Sequence, residues 1–138
     1  MDKILIIGQA PPAQQQLLPY DTTMLYTWFE QLGINKKDAL DMFLFDAVYD
    51  KFPGYDANGG HLKPNKKQME DYWNRELKSK TDNCKAVLVL GSCARDFIKT
   101  KDIDKPIAFI IHPSKRNYSI YIKNKDSILN SISNLITN

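Results

Sequence analysis

The stretch Ile4-Leu5-Ile6-Ile7-Gly8-Gln9-Ala10-Pro11-Pro12 joins an apolar run to a glycine, a polar residue and two prolines. The apolar run predicts a buried strand, and the prolines exclude a helix directly after it. Near the other end of the chain, the apolar run Ile107–Ile111 leads in the same way into His112-Pro113-Ser114-Lys115-Arg116. Because ligands of open α/β sheets bind at the carboxyl ends of parallel strands, the two loops predict one shared pocket.

Two further apolar runs, Met42–Phe45 and Ala86–Leu90, also predict buried strands. Three predicted helices separate the four strands: one from Asp21-Thr22-Thr23 to Gly33, one over Lys66–Lys78, and a short one after Gly91-Ser92. A last predicted helix follows the fourth strand, with Ile128, Leu129, Ile132, Leu135 and Ile136 inward. The segments 8–21 and 49–63 are predicted to be loops. Apolar strands that alternate with helices are typical of a parallel sheet covered on both faces. We therefore expect one three-layer α/β/α sandwich over residues 1–138.

The composition is that of an ordinary soluble domain, with 43% hydrophobic and 25% charged residues. The net charge of +3 permits a nucleic-acid partner without requiring one. The apolar runs are far shorter than the ~20 residues of a membrane span, and Asp2 argues against a signal peptide, so we expect a cytoplasmic protein. We also expect it to be a monomer. Cys84 and Cys93 are too few for a disulfide framework or a four-thiolate cluster, and both are predicted to be reduced.

Each candidate residue also has a simpler interpretation. The loop after Gly8 lacks the spacing of a dinucleotide or Walker loop. A lone His112 is often structural, Asp46 could cap a turn, and Tyr20 could pack on the surface. His61 and His112 have no suitably spaced partners for a metal, so no metal site is predicted. The functional interpretation is favoured because several strand ends and one loop would surround the same crevice.

The order of these motifs resembles that of the uracil-DNA glycosylase superfamily. The matching segments, in chain order, are Gly8-Gln9-Ala10-Pro11, Pro19-Tyr20, Leu44-Phe45-Asp46-Ala47-Val48, Leu90-Gly91-Ser92 and His112-Pro113-Ser114. They span roughly residues 3 to 117. The resemblance implies a four-stranded parallel sheet of order 2-1-3-4 and single- or double-stranded DNA as the partner. Because the chain has only two cysteines, no cofactor is expected.

The resemblance also implies a role for each site residue. Tyr20 would stack on a base turned out of the DNA, and Asp46 would read its edge. His112 would stabilise the negative charge on the departing base, and Gln9 would line the water site. Further residues are implied to contact the base or the DNA: Gly8, Ala10 and Pro11 for the base, and Ser92, Ser114, Lys115, Arg116 and Asn117 for the DNA.

The chain departs from the family pattern at two positions. Ala10 stands where the best-known members have an aspartate that positions water, and the loop holds no carboxylate until Asp21. Because a glutamine orients water but cannot accept its proton, hydrolysis would depend on dissociative bond breaking or on Asp21 or Asp46 as catalytic carboxylates. Asp46 stands where uracil readers have an asparagine. An ionised carboxylate only accepts hydrogen bonds. We therefore expect either a base with an exocyclic amine, such as a modified cytosine, or an Asp46 that burial keeps protonated. The cysteines of the iron–sulfur branches are also missing.

These observations favour a DNA glycosylase that hydrolyses the N-glycosidic bond of a damaged or modified base. One alternative is a catalytically weak protein that binds nucleic acid or a nucleobase in the same pocket. Another is an enzyme that acts on free nucleosides or nucleotides. Salt-dependent DNA binding separates the first two from the third, and abasic-site formation separates the enzyme from the binding protein.

Overall fold

The computed structural model describes residues 3–11 and 22–137. Its four strands are β1 (Ile4–Gly8), β2 (Phe43–Ala47), β3 (Ala86–Leu90) and β4 (Ile107–Ile110). They form one parallel sheet of order β2-β1-β3-β4. The predicted class and strand order are confirmed.

Helices lie between successive strands and after the last strand. They are α1 (Thr23–Gln31), α2 (Lys36–Met42), α3 (Lys66–Tyr72), α4 (Lys78–Asp82), α5 (Gly91–Ile98), α6 (Tyr118–Lys123) and α7 (Lys125–Thr137). A π-helical turn (Trp73–Leu77) joins α3 to α4 without a break, and a 3-10 turn (Lys115–Asn117) leads into α6.

Each face of the sheet has its own hydrophobic core. On one face, side chains of α1, α2, α6 and α7 pack on alternate strand residues such as Ile4, Ile6 and Leu88. On the other face, α3, α5 and the π-helical turn cover Leu5 and Ile7 with their neighbours. Because β1 and β3 are covered on both sides, every residue in them is buried. This arrangement explains why their sequences are apolar throughout.

The edge strand β2 is less buried than its sequence predicts. Leu44 keeps 44% of its surface exposed, and Phe45 is only half-buried. Helix α2, which directly precedes β2, was not predicted. It begins after Asn35, whose side chain accepts a hydrogen bond of 2.8 Å from the backbone N–H of Asp38. The run of Lys and Asp over this helix carries little apolar periodicity, so its cap was the only local signal.

Helix α6 was not predicted either. The other helices agree with the predicted ones, with shifted ends. The predicted helix over Lys66–Lys78 continues to Asp82, and the predicted last helix corresponds to α7, with Ile128, Ile132 and Leu135 buried. Helix α1 ends before Gly33, whose φ of +77° suits glycine. No helix within residues 3–11 and 22–137 has the length and apolarity needed to cross a bilayer.

Candidate functional site

A cleft of about 1100 Å³ lies at the carboxyl edge of the sheet. Gln9 and Ala10 follow β1, Gly91 and Ser92 begin α5 directly after β3, and His112 follows β4; all of them line the cleft. The strands are parallel, so their carboxyl ends meet at one edge and bring these distant segments together. The predicted shared pocket of the Gly8 and His112 loops is therefore present.

Gly91 determines how closely the β3 end approaches the His112 loop. A β-carbon built on Gly91 would lie 3.3 Å from Cβ of His112 and 3.6 Å from its Cδ2. Gly91 also has a φ of +83°, which residues with a side chain rarely adopt. Only glycine meets both conditions, since any other residue would be strained and would press on His112.

His112 is a half-buried ring whose Nδ1 is fully buried and has no hydrogen-bond partner among the residues that the structure describes. Burial lowers the pKa of His112 below its usual 6.5, and the nearby positive charge of Arg116 lowers this pKa further. The imidazole is therefore neutral at pH 7. The backbone of the loop is fixed by Asn117, whose side-chain amide donates a hydrogen bond of 3.0 Å to the carbonyl oxygen of His112.

Three cations line the cleft: Lys63, Arg95 and Arg116. Arg95 lies 3.1 Å from the carboxylate of Asp96, whereas neither Lys63 nor Arg116 forms a salt bridge with a described residue. No aspartate or glutamate is among the described residues that line the cleft. The charge of this surface therefore favours an anionic ligand such as a nucleic-acid backbone.

Helix α5 adds backbone donors at the same place. Its first turn contains no acidic residue, and no side-chain hydrogen bond caps its N-terminus in the described part of the chain. The N-terminus of a helix attracts anions through its N–H groups and its dipole. Ser92 is exposed here and lines the cleft, which is compatible with the predicted DNA contact.

His61 and Lys63 reach the cleft from a segment that the sequence predicts to be a plain loop. An antiparallel bridge between Tyr55 and His61 closes a tight turn. Inside it, one carboxylate oxygen of Asp56 accepts the backbone N–H groups of Asn58 and Gly60 at 2.8 and 2.9 Å. The motif Asp56-Ala57-Asn58-Gly59 is typical of such turns and was the available signal that the chain reverses here.

Asp46 lies at the second-to-last position of β2, and it does not line the cleft. Its carboxylate accepts hydrogen bonds from the Tyr72 hydroxyl at 2.8 and 3.0 Å and from the backbone N–H of Ala47 at 2.7 Å. Lys80 Nζ lies 2.6 Å from Oδ2 of the same carboxylate. Burial, followed by the charge of Asp46, raises the pKa of Tyr72. The acceptor positions of Asp46 are thus filled by its own chain, and its predicted base-reading role stays a prediction.

The other predicted residues divide into two groups. Arg116 and Asn117 line the cleft, whereas Gly8, Pro11, Ser114 and Lys115 do not. Gly8 is buried within β1, and its carbonyl oxygen accepts the backbone N–H of Val48 at 2.9 Å. Ser114 Oγ is buried without a partner among the described residues, and Lys115 is exposed. Tyr20 and Asp21 lie outside the described residues, and so do Gln14, Gln15 and Gln16.

Arg95 and Cys93 also line the cleft and were not predicted. Arg95 follows Gly91 by about one helical turn. The predicted start of a helix at Gly91 was therefore the signal that could have placed Arg95 at the cleft. Cys93 and Cys84 are both free thiols, and burial raises the pKa of each. Among the described residues, no group of three His, Cys, Asp or Glu side chains is placed to hold a metal ion.

Comparisons with known proteins and protein families give independent information on this chain. A search of curated proteins finds no match. The model of the family described as the uracil DNA glycosylase superfamily matches residues 1–135. This match covers the sheet, the cleft and all the motifs that carry the resemblance. The chain therefore belongs to the uracil-DNA glycosylase superfamily.

Proposed function

We propose that the protein is a DNA glycosylase that hydrolyses the N-glycosidic bond of a damaged or modified pyrimidine turned out of its strand. The observation that carries the proposal is the position of His112, a neutral ring held against Gly91 in a cleft lined by Lys63, Arg95 and Arg116. Cleavage of this bond needs both an anchored phosphate backbone and a donor for the departing base. The cleft offers both.

His112 serves as the donor. As the bond from C1′ of the sugar to the base nitrogen breaks, its electron pair moves onto the base, and negative charge develops on a carbonyl oxygen. A neutral imidazole can donate one N–H hydrogen bond to that oxygen. Preorganised donors of this kind contribute about 3 kcal/mol to transition-state stabilisation. The hydrogen bond from the Asn117 side chain to the His112 carbonyl oxygen holds the loop backbone that carries the ring.

The lining of the cleft favours bond breaking before water attack. Gln9 and Ala10, which the family resemblance assigns to the water site, line the cleft, and none of the described lining residues is a carboxylate that could accept a proton from water. The sugar cation would form first, and water would then bond to C1′. Its proton would pass to the departed base anion or to solvent. The Gln9 amide can orient this water, although it cannot act as a base. A part for Asp21 stays a prediction.

Recognition of the base is a separate step from cleavage of the bond. The stacking role of Tyr20 rests on the family resemblance. Asp46 could read an amine-bearing base only if its carboxylate gave up contacts with Tyr72 or Lys80. The proposal therefore requires neither residue for bond cleavage.

A second candidate is a protein that binds DNA or a nucleobase without cleaving it. None of the described residues that line the cleft is acidic, and this observation favours the second candidate because such a lining offers no carboxylate to activate water. The cationic surface and the His112 donor would serve equally well for binding alone.

The test incubates the protein with oligonucleotides that carry uracil, hypoxanthine, xanthine or modified cytosines, followed by alkaline cleavage at abasic sites. We expect cleavage of uracil or of at least one modified cytosine, and a loss of about 100- to 1000-fold in the His112→Ala variant. Cleavage of hypoxanthine or xanthine alone would contradict the proposed preference for a pyrimidine. Binding of the same oligonucleotides is measured in parallel. Salt-dependent binding without any abasic product would replace the glycosylase by the second candidate, and turnover of free nucleosides without DNA binding would exclude both.

A further inference from the structure

The turn closed by the Tyr55–His61 bridge carries an aromatic surface that the proposed cleavage reaction does not use. Phe52, Tyr55 and His61 pack edge to face, with ring centroids 4.8 to 5.5 Å apart. Despite this packing, Tyr55 keeps 57% of its surface exposed. The three rings thus form a small cluster with one face open to solvent.

This cluster lies at the rim of the cleft. His61 lines the cleft, and its ring centroid lies 5.5 Å from that of Tyr55. Lys63, two residues later in the chain, also lines the cleft. Arg95 and Arg116 line the cleft as well. Proteins hold unpaired nucleotides with exposed aromatic rings beside a positively charged groove, because bases stack on the rings while the cations hold the phosphates.

Backbone hydrogen bonds also fix the conformation of the turn that carries these rings. The backbone N–H of Leu62 donates to the carbonyl oxygen of Gly54 at 2.9 Å, and that of Asp56 donates to Gly60 at 2.7 Å. The Asp56 carboxylate, the nearest negative charge in the turn, accepts two backbone N–H groups. It is therefore engaged within the turn. A stacked base would meet a preformed surface, which reduces the entropy lost on binding.

We propose that Tyr55 and His61 form a stacking subsite for the base of an unpaired nucleotide next to the one held in the cleft, and that Lys63 binds its phosphate. This inference rests on the proposed function and adds a neighbouring subsite to it. In a duplex, both faces of each base are already covered by its neighbours. The subsite therefore contributes to binding of single-stranded DNA and not to binding of a fully paired duplex.

The test measures binding of a single-stranded oligothymidine and of a duplex of equal length by fluorescence anisotropy. Loss of one stacking contact weakens binding by about 5- to 150-fold, so Tyr55→Ala should lose this factor on the single strand. Tyr55→Phe keeps the ring and should restore binding to within about twofold. The duplex affinity should not change. Circular dichroism and thermal melting confirm that each variant is folded.

Two further variants separate stacking from other causes. Leu62→Ala removes exposed apolar surface from the same turn without removing a ring, and we expect it to bind single strands like the wild type. Lys63→Gln should lower the slope of log affinity against log salt by about 0.7, whereas Tyr55→Ala should leave the slope unchanged.

Equal losses on single strand and duplex, or no loss in Tyr55→Ala, would overturn the subsite. In those cases the wild type still binds and cleaves DNA, so the proposed function stands. If the wild type binds no DNA, the proposed function and the subsite fail together. If Leu62→Ala weakens binding as much as Tyr55→Ala, the surface is a general apolar contact and the stacking assignment is wrong.

Discussion

The backbone of Gly91 lies directly against the His112 side chain, so a β-carbon at position 91 would be 3.3 Å from Cβ of His112. We expect Gly91→Ala to lower the free energy of unfolding by about 1–2 kcal/mol, because a side chain at a φ of +83° is strained. The new methyl group should also displace the ring. The rate of any abasic-site formation should therefore fall by at least about tenfold, because even a small misplacement of a reacting group slows a reaction strongly.

Gly33→Ala is the matched control for this variant. Gly33 has a similar φ of +77°, but a β-carbon there meets no atom within 4 Å. The backbone strain is thus comparable, while the contact with His112 is missing. We expect a similar loss of stability and unchanged activity. If both variants lose activity equally, strain rather than the His112 contact accounts for the effect.

The pKa of His112 depends on its neighbour Arg116. Burial is the larger cause of the lowered pKa, and the Arg116 charge is the second. We expect Arg116→Gln to raise this pKa while leaving it below 6.5, since the burial of the ring remains. A histidine-selective NMR titration measures both pKa values. The chain has only two histidines, so His112→Ala assigns the signals. An unchanged pKa in Arg116→Gln would show that the two charges do not interact.

The same lowered pKa makes the stability of the protein depend on pH. In the unfolded chain His112 returns to about 6.5, so the unfolded state binds a proton more readily than the folded state. The contribution of His112 is therefore fully present above pH 6.5, and it is lost as the pH falls from there toward the folded-state pKa. Urea unfolding above and below this pH should show the decrease in the wild type. His112→Gln should show less of it.

Asp46 ties the end of β2 to the helical layer through Tyr72 and Lys80. We expect Asp46→Asn to lower the free energy of unfolding by about 1–2 kcal/mol, because the buried end of the ion pair loses its charge while the amide oxygen still accepts the Tyr72 hydrogen bond. Lys80 is partly exposed, which keeps this loss below that of a fully buried pair. Asp50→Asn removes an exposed partner of Arg75 and should change stability little.

The Asp46→Asn variant also tests base reading. If Asp46 selects a base with an exocyclic amine, the asparagine variant should shift its preference toward uracil. Cleavage or binding of uracil- and cytosine-containing strands measures the ratio. A loss of stability with unchanged selectivity would leave Asp46 a purely structural residue.

The strands and the cleft were predictable because their sequence signals are local. Apolar runs that stop at Gly8, Leu90 and Ile111 predict strand ends, and parallel pairing then places those ends at one edge. Helix α2 was missed because its stability comes from an end cap and from Ala39 packed into the core, with little apolar periodicity. A short helix of this kind depends on tertiary contacts that no single segment reveals.

The partners of Asp46 and the aromatic turn were beyond local signals. Tyr72 and Lys80 lie 26 and 34 residues from Asp46 in the chain, and only the packing of α3 and α4 on the sheet brings them together. Likewise, Asp56 and Gly59 indicate a turn, but they do not say that it places His61 and Lys63 in the wall of the cleft. Long-range placement of polar side chains is set by the fold as a whole.

The cations of the cleft should set the salt dependence of DNA binding. Each cation that contacts a phosphate of single-stranded DNA releases counterions and adds about 0.7 to the slope of log affinity against log salt. We expect Arg116→Gln to lower the slope by this amount, since Arg116 lines the cleft and has no salt-bridge partner among the described residues. Lys37→Gln is the control. It removes the same charge from α2, and Lys37 is not among the residues that line the cleft. Anisotropy titrations over a range of salt concentrations measure the three slopes. Equal decreases in the two variants would mean that net charge, and not this cleft, binds the DNA.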